Sequence, residues 1–182
     1  MKDTDNTTSH KSDEYDSQIE DIIPYYSIFH REIINLIKSL TFEPKNWLDT
    51  GCGTGTLVNM ARDIFPRTRF YLLDPSKGML NEAQKKLSDM PADCLKLLKP
   101  SPTQNFSQKL EDKMDVITAI QCHHYLSLGE RKKATKVCYN LLNEDGVYIT
   151  FENIKPLTRE GIEIGKVYWG NFQLARGEMF PW

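Results

Sequence analysis

Three glycines at alternate positions, Gly51, Gly53 and Gly55, stand directly behind an acidic residue in the run Asp49-Thr50-Gly51-Cys52-Gly53-Thr54-Gly55. Glycine permits a tight turn and lets backbone approach a ligand with no Cβ in the way. Two phosphate cradles are excluded by the spacing. The dinucleotide fingerprint needs glycine at position 56, where Thr56 stands, and no Gly-Lys-Ser/Thr follows to complete a P-loop. What remains suits a ligand without a pyrophosphate. Asp74 lies 19 residues beyond Gly55, where a carboxylate can accept hydrogen bonds from a ribose diol. The adjacent His123 and His124 offer imidazoles that titrate near neutral pH and can draw a proton from a nucleophile. Successive side chains on an extended segment point to opposite sides, so at most one of the two faces a common site. The alternative is that both pack or hydrogen-bond structurally. Cys52, Cys94, Cys122 and Cys138 show no CxxC spacing. With no second cluster to complete a ligand set, no metal site is expected, and the cysteines read as reduced thiols.

These groups must be held by a scaffold, and the hydrophobic pattern supplies one. Asn46–Asp49 reads as a strand running into the glycine turn, and Leu57, Met60, Ala61 and Ile64 mark the helix after it. Arg69–Asp74 is a second strand, followed by a helix with Met79, Leu80, Ala83 and Leu87 on one face. Cys94–Lys99 reads as a third strand, Asp115–Gln121 as a fourth that is apolar enough to be buried on both sides, and Val147–Glu152 as a fifth. A helix through Ala134, Val137, Cys138, Leu141 and Leu142 ends near Gly146, and a last helix carries Ile162, Val167, Trp169 and Phe172 before the chain stops at Phe180-Pro181-Trp182. Strands alternating with helices predict an α/β fold with a doubly wound, mostly parallel sheet, which binds ligands at the carboxyl ends of its strands. Residues 1–14 are polar and read as a mobile tail. Residues 15–43 form a helical cap divided at Pro24, and 44–182 form the sheet domain.

The glycine run, taken with Leu73-Asp74-Pro75-Ser76-Lys77-Gly78-Met79-Leu80, resembles the first two motifs of class I S-adenosylmethionine-dependent methyltransferases. Asp115–Gln121 with Cys122-His123-His124-Tyr125-Leu126 is similar to that family's fourth strand and following loop, and Leu141–Val147 to the turn into its fifth strand; the likeness covers roughly residues 45–153. It implies a Rossmann-like methyltransferase fold with S-adenosylmethionine as cofactor and S-adenosylhomocysteine as product. Asp49 and the turn Gly51, Cys52, Gly53 and Gly55 would hold the methionine end, Asp74 with Pro75 the ribose, and Met79 the adenine. The backbone at Ile120 or Gln121 would flank the sulfonium, and Ser101 or Asn105 would stand where the family contacts the adenine amine. Tyr15-Asp16 and Pro24-Tyr25-Tyr26 look like the family's helical cap, with Tyr15 reaching the cofactor, and His124 or His123 would be the base. Tyr15, Tyr25, Tyr26 and His30 form an aromatic row that serves either as a lid over the sulfonium or as core. The family's sixth and seventh strands have no counterpart, which implies a C-terminally truncated domain.

Where other members carry Asn/Asp-Pro-Pro-Tyr/Phe for planar amines, this chain has Gln121-Cys122-His123-His124, so a small-molecule O, N, S or C nucleophile is expected rather than a nucleobase. Net charge is −2 over 182 residues, which gives no footprint for nucleic acid or an anionic membrane. Lys85-Lys86 and Arg131-Lys132-Lys133 read as solvated helix faces. With no long apolar run and a polar start, a cytoplasmic monomer or homodimer is expected. The competing readings are a non-catalytic S-adenosylmethionine-binding protein and a nicotinamide-dependent oxidoreductase.

Overall fold

The computed structural model describes residues 5, 6, 8 and 10–177. Five strands form one sheet: β1 (Asn46–Thr50), β2 (Arg69–Leu73), β3 (Leu95–Leu97), β4 (Met114–Ile120) and β5 (Leu142–Phe151). Their order is β3-β2-β1-β4-β5, and every neighbouring pair is parallel. The chain lays down β1, β2 and β3 in one direction, then returns past β1 to place β4 and β5. Strand order therefore reverses between β1 and β4, the point at which open α/β sheets leave a crevice.

The side chains of the central strands alternate between two cores, as the pleat requires. Trp47, Phe70, Leu72, Val116 and Ile120 join one cluster with Ile33, Leu57 and Ala83. Those partners belong to α2 (Tyr26–Lys38), α3 (Thr56–Ala61) and α4 (Lys77–Lys86). Leu48, Tyr71, Leu73 and Ile117 join the opposite cluster with Cys138 of α5 (Leu128–Leu141). Fully burying a Val, Leu or Ile side chain contributes about 1.5–3 kcal/mol, so these two layers supply the main driving force for the sheet. A short α1 (Tyr15–Ile22) precedes α2, and Tyr25 between them takes a left-handed φ of 64°, turning the chain just after Pro24. The last helix, α6 (Arg159–Leu174), returns to the beginning of the chain: Trp169 Nε1 donates to the Ile22 carbonyl at 2.6 Å, and the Tyr25 and Tyr168 hydroxyls lie 2.8 Å apart.

Several boundaries differ from the sequence expectation. α5 stops at Leu141 rather than near Gly146, and β5 starts five residues early. The cause is Asp115, whose carboxylate accepts from the backbone amides of Lys45 and Asn46 and also from the Asn143 side chain, drawing the segment after α5 against the sheet. Extra residues are absorbed by a register shift between Met114 and Val116. β3 keeps only three of its expected six residues, although Leu98 N still donates to Leu72 O. Where it is described, the segment read as a mobile tail makes definite contacts: Ser12 is buried, and Ser76 Oγ donates to the Asp5 carbonyl at 2.9 Å. Phe180-Pro181-Trp182 lies outside the described residues.

Candidate cofactor and acceptor site

At the reversal point lies a cavity of about 270 Å³, close to the lower end of the roughly 300–1,000 Å³ usual for small-molecule sites. Its floor is the glycine turn. The amides of Gly51 and Cys52 both donate to Leu73 O, at 2.7 and 3.1 Å, and the Gly53 amide donates to Asp74 Oδ2 at 3.0 Å, so the second strand's end fixes the first strand's turn. Gly51 and Gly53 both have left-handed φ, 65° and 54°. A Cβ on Gly51 would collide with the Cys122 side chain, whereas one on Gly53 would meet nothing within 4 Å. The first glycine is needed for packing, and the second faces open space.

Two carboxylates share this floor. Asp49 is 3% exposed, and its Oδ1 accepts from Thr118 Oγ1 at 2.7 Å; burial pushes its pKa up to about 7, with the neighbouring Asp74 adding to the rise. Asp74 is also raised by burial, partly countered by the amides of Ser76 and Gly53, which donate to its two oxygens. The ligand-facing capacity of Asp74 is thus what remains after it has braced two backbone turns.

Of the residues expected in the site, Asp49, Gly51, Cys52, Gly53, Asp74, Pro75, Met79, Gln121, Tyr15 and His123 line the cavity. Gly55 does not: it caps α3, and its Cα faces Leu87 and Ala83. Neither Ser101 nor Asn105 reaches the cavity, because Ser101 N is turned to the Asp74 carbonyl; Pro102, Thr103 and Gln104 line it instead. His124 is turned away, its Nδ1 held 2.8 Å from Glu152 Oε2. His123 faces inward, but both its ring nitrogens are occupied, Nδ1 by Tyr148 Oη at 2.9 Å and Nε2 by Thr103 Oγ1 at 3.3 Å. Burial lowers its pKa further. The structural role is therefore the one the geometry supports for both histidines. In the aromatic row, Tyr15, Tyr26 and His30 line the cavity while Tyr25 is exposed, and Phe29 lines it beside them.

Two parts of the site lie beyond the sequence reading. Lys86 is not a solvated lysine: its Nζ sits 2.6 Å from Asp16 Oδ2 and donates to the Thr54 and Thr56 hydroxyls, fastening α1 to the glycine turn. Glu152 accepts from the amides of His123 and His124 and fixes the loop after β4. Their only sequence signal is a charged residue at a strand or helix end. Among the described residues there is no cluster of His, Cys, Asp and Glu fit to hold a metal, and no helix is long and apolar enough to cross a membrane.

Fold and cavity together define a doubly wound α/β domain that takes a ligand against a glycine turn at the reversal of strand order. Residues 48–148 match the family described as "Methyltransferase domain", and the chain belongs to that family. The carboxy-S-adenosyl-L-methionine synthase of Staphylococcus epidermidis is 25% identical over 167 residues, covering 91% of this chain and 70% of the relative. Streptomyces venezuelae DesVI superposes with a TM-score of 0.65 at 26% identity, over 81% of this chain and 59% of DesVI. An S-adenosylmethionine-dependent methyltransferase from Clostridium acetobutylicum gives 0.58 at 26% identity, over 76% of this chain and 55% of its own. The chain thus spans less than two thirds of either solved protein.

Proposed function

We propose that the chain transfers a methyl group from S-adenosylmethionine to a small-molecule nucleophile. The observation that carries this reading is the meeting, in one cavity, of the glycine turn with the carboxylates that end β1 and β2. The cavity suits the cofactor in two further respects: open space over Gly53 admits a ligand against bare backbone, and Gln104, which lines the cavity, carries a buried Oε1 with no hydrogen-bond partner among the described residues. In this reading Asp49 takes the ammonium of the methionine end, with the turn at Gly51–Gly53 beneath it. Asp74 takes the ribose hydroxyls, Met79 and Pro75 line the base, and Gln104 accepts from the adenine amine. Gln121, at the end of β4, borders the reacting centre.

The cofactor supplies a methyl carbon on a sulfonium, whose leaving thioether is already activated. The protein's contribution is therefore proximity and alignment, with the nucleophile held about 3 Å from that carbon. A general base is not obligatory. Thermal denaturation with S-adenosylhomocysteine and with NADH tests the reading, since a ligand at a hundred times its dissociation constant stabilises by about 2.7 kcal/mol. We expect a shift with S-adenosylhomocysteine alone; a shift only with NADH would assign the site to an oxidoreductase. Labelled methyl transfer to a pool of small metabolites separates an enzyme from a protein that only binds the cofactor.

A further inference from the structure

The described residues at the start of the chain, Asp5, Asn6, Thr8 and 10–12, include no large apolar side chain. Such a segment cannot order itself by burying surface, so whatever holds it must be polar. Its seat is the amino end of α4. The Ser76 hydroxyl donates to the Asp5 carbonyl at 2.9 Å, and the Asp5 carboxylate accepts from the amide and the hydroxyl of Ser12 at 3.1 and 3.0 Å. That carboxylate lies against Gly78, where a Cβ would collide with both Asp5 Oδ2 and Ser12 Oγ. Glycine inside a helix is unfavourable, and here it makes room for the seated segment.

Ser76 joins this seat to the cofactor site. Its amide donates to Asp74 Oδ1 at 2.8 Å while its hydroxyl holds Asp5, so the segment is tied to the carboxylate assigned to the ribose. From that anchor Asn6 and Thr8 reach the cavity and line it together with Asp74, Pro75 and Met79. Their polar groups are engaged within the segment. Asn6 Oδ1 accepts from the amide and the hydroxyl of Thr8 at 2.7 and 2.6 Å, and Asn6 Nδ2 donates to the His10 carbonyl at 2.9 Å. What the two residues offer a ligand is therefore a wall.

We propose that the segment bounded by Asp5 and Ser12 is a strap that closes over the nucleoside end of the cofactor and governs how fast it leaves. The proposal rests on the methyltransferase reading of the same cavity. A nucleoside lying against Asp74 and Pro75 is walled in by Asn6 and Thr8, and its release requires the strap to lift. Lifting is easy in the empty protein: polar bonds exchange for bonds to water at small net gain, and no apolar side chain has to be exposed. A ligand beneath the strap tips the balance toward the seated form, because it favours whichever of two states it binds better. The seat and the ligand site are also separable, since Gly78 does not line the cavity.

Two variants release the strap and leave the glycine turn as it is. Deletion of residues 2–12 removes it, and Gly78→Gln fills its seat with a residue that helices favour over glycine. In each we expect S-adenosylhomocysteine to dissociate about tenfold faster by surface plasmon resonance, the worth of one or two hydrogen bonds of docking, with association no slower. In the unaltered protein, amide hydrogen exchange over residues 5–12 should slow on adding S-adenosylhomocysteine. An unaltered dissociation rate in Gly78→Gln, slower association in that variant, or exchange over 5–12 that ignores the ligand overturns the strap and leaves the methyltransferase reading standing. Failure of the unaltered protein to bind S-adenosylhomocysteine overturns both. If the deletion variant does not fold, Gly78→Gln and the exchange measurement decide.

Discussion

Asp49 is held in the native state as a carboxyl that resists ionising, with a pKa of about 7 against an ordinary 3.8. Between those values the unfolded chain has lost its proton and the native one retains it, so this residue's contribution to stability is full below about pH 4 and declines as pH rises to about 7. Denaturation of Asp49→Asn should lack that decline. A ligand ammonium beside the carboxylate reverses the preference, so binding of S-adenosylhomocysteine should release a proton near pH 6–7 and strengthen toward pH 8. Calorimetry in two buffers of different ionisation heat measures this release; a buffer-independent heat would remove the ammonium from Asp49. Asp74 is a different case. Sequence alone suggests that Asp74→Ala removes a ribose acceptor and leaves the fold intact, but the structure shows both oxygens holding backbone amides. We therefore expect that variant to lose affinity and also about 1–3 kcal/mol of stability, read from urea unfolding.

The glycine turn separates folding from binding within three residues. Both positions have a left-handed φ that alanine disfavours, but Gly51→Ala also meets the Cys122 side chain, so it should cost more stability than Gly53→Ala, whose new methyl meets only open space. Gly53→Ala should instead impair ligand binding. Equal unfolding free energies for the two variants would contradict the packing described here. The turn was legible in the sequence because its chemistry is local: an acidic strand end, alternate glycines and a second acidic strand end fix it without knowledge of the rest. The strands were legible for the same reason, since β1, β2 and β4 are short apolar runs whose period and length admit little else. The role of the two histidines was not legible. His123 and His124 stand at a promising place, yet what they do is decided by Tyr148, Thr103 and Glu152, partners 20 to 29 positions away along the chain. The inward face of the loop at Ser101 was no more legible, because a loop's register against a cavity is set by its anchoring and not by its composition; with Ser101 N bonded to the Asp74 carbonyl, Pro102, Thr103 and Gln104 line the cavity.

Across the whole molecule, polar ties fasten the cap to the rest of the chain. Asp16, Thr54, Thr56 and Lys86 make one of them, linking α1 to the turn and to α4. Lys86→Met should loosen α1, raising amide hydrogen exchange over residues 15–22 and weakening S-adenosylhomocysteine binding, with the sheet's protection unchanged. Unaltered exchange in α1 would show that its apolar contacts suffice. Another tie is the return of α6, whose Trp169 and Gln173 both donate to the Ile22 carbonyl. Closing a loop of this length carries a sizeable entropy cost that only later contacts offset. During synthesis at about 5–20 residues per second, Tyr15 and Tyr26 leave the ribosome roughly seven to thirty seconds before the tryptophan that braces their helices. The chamber's oldest wall is therefore its last to settle, and a nascent chain halted short of α6 would present a finished floor beneath an unlatched roof.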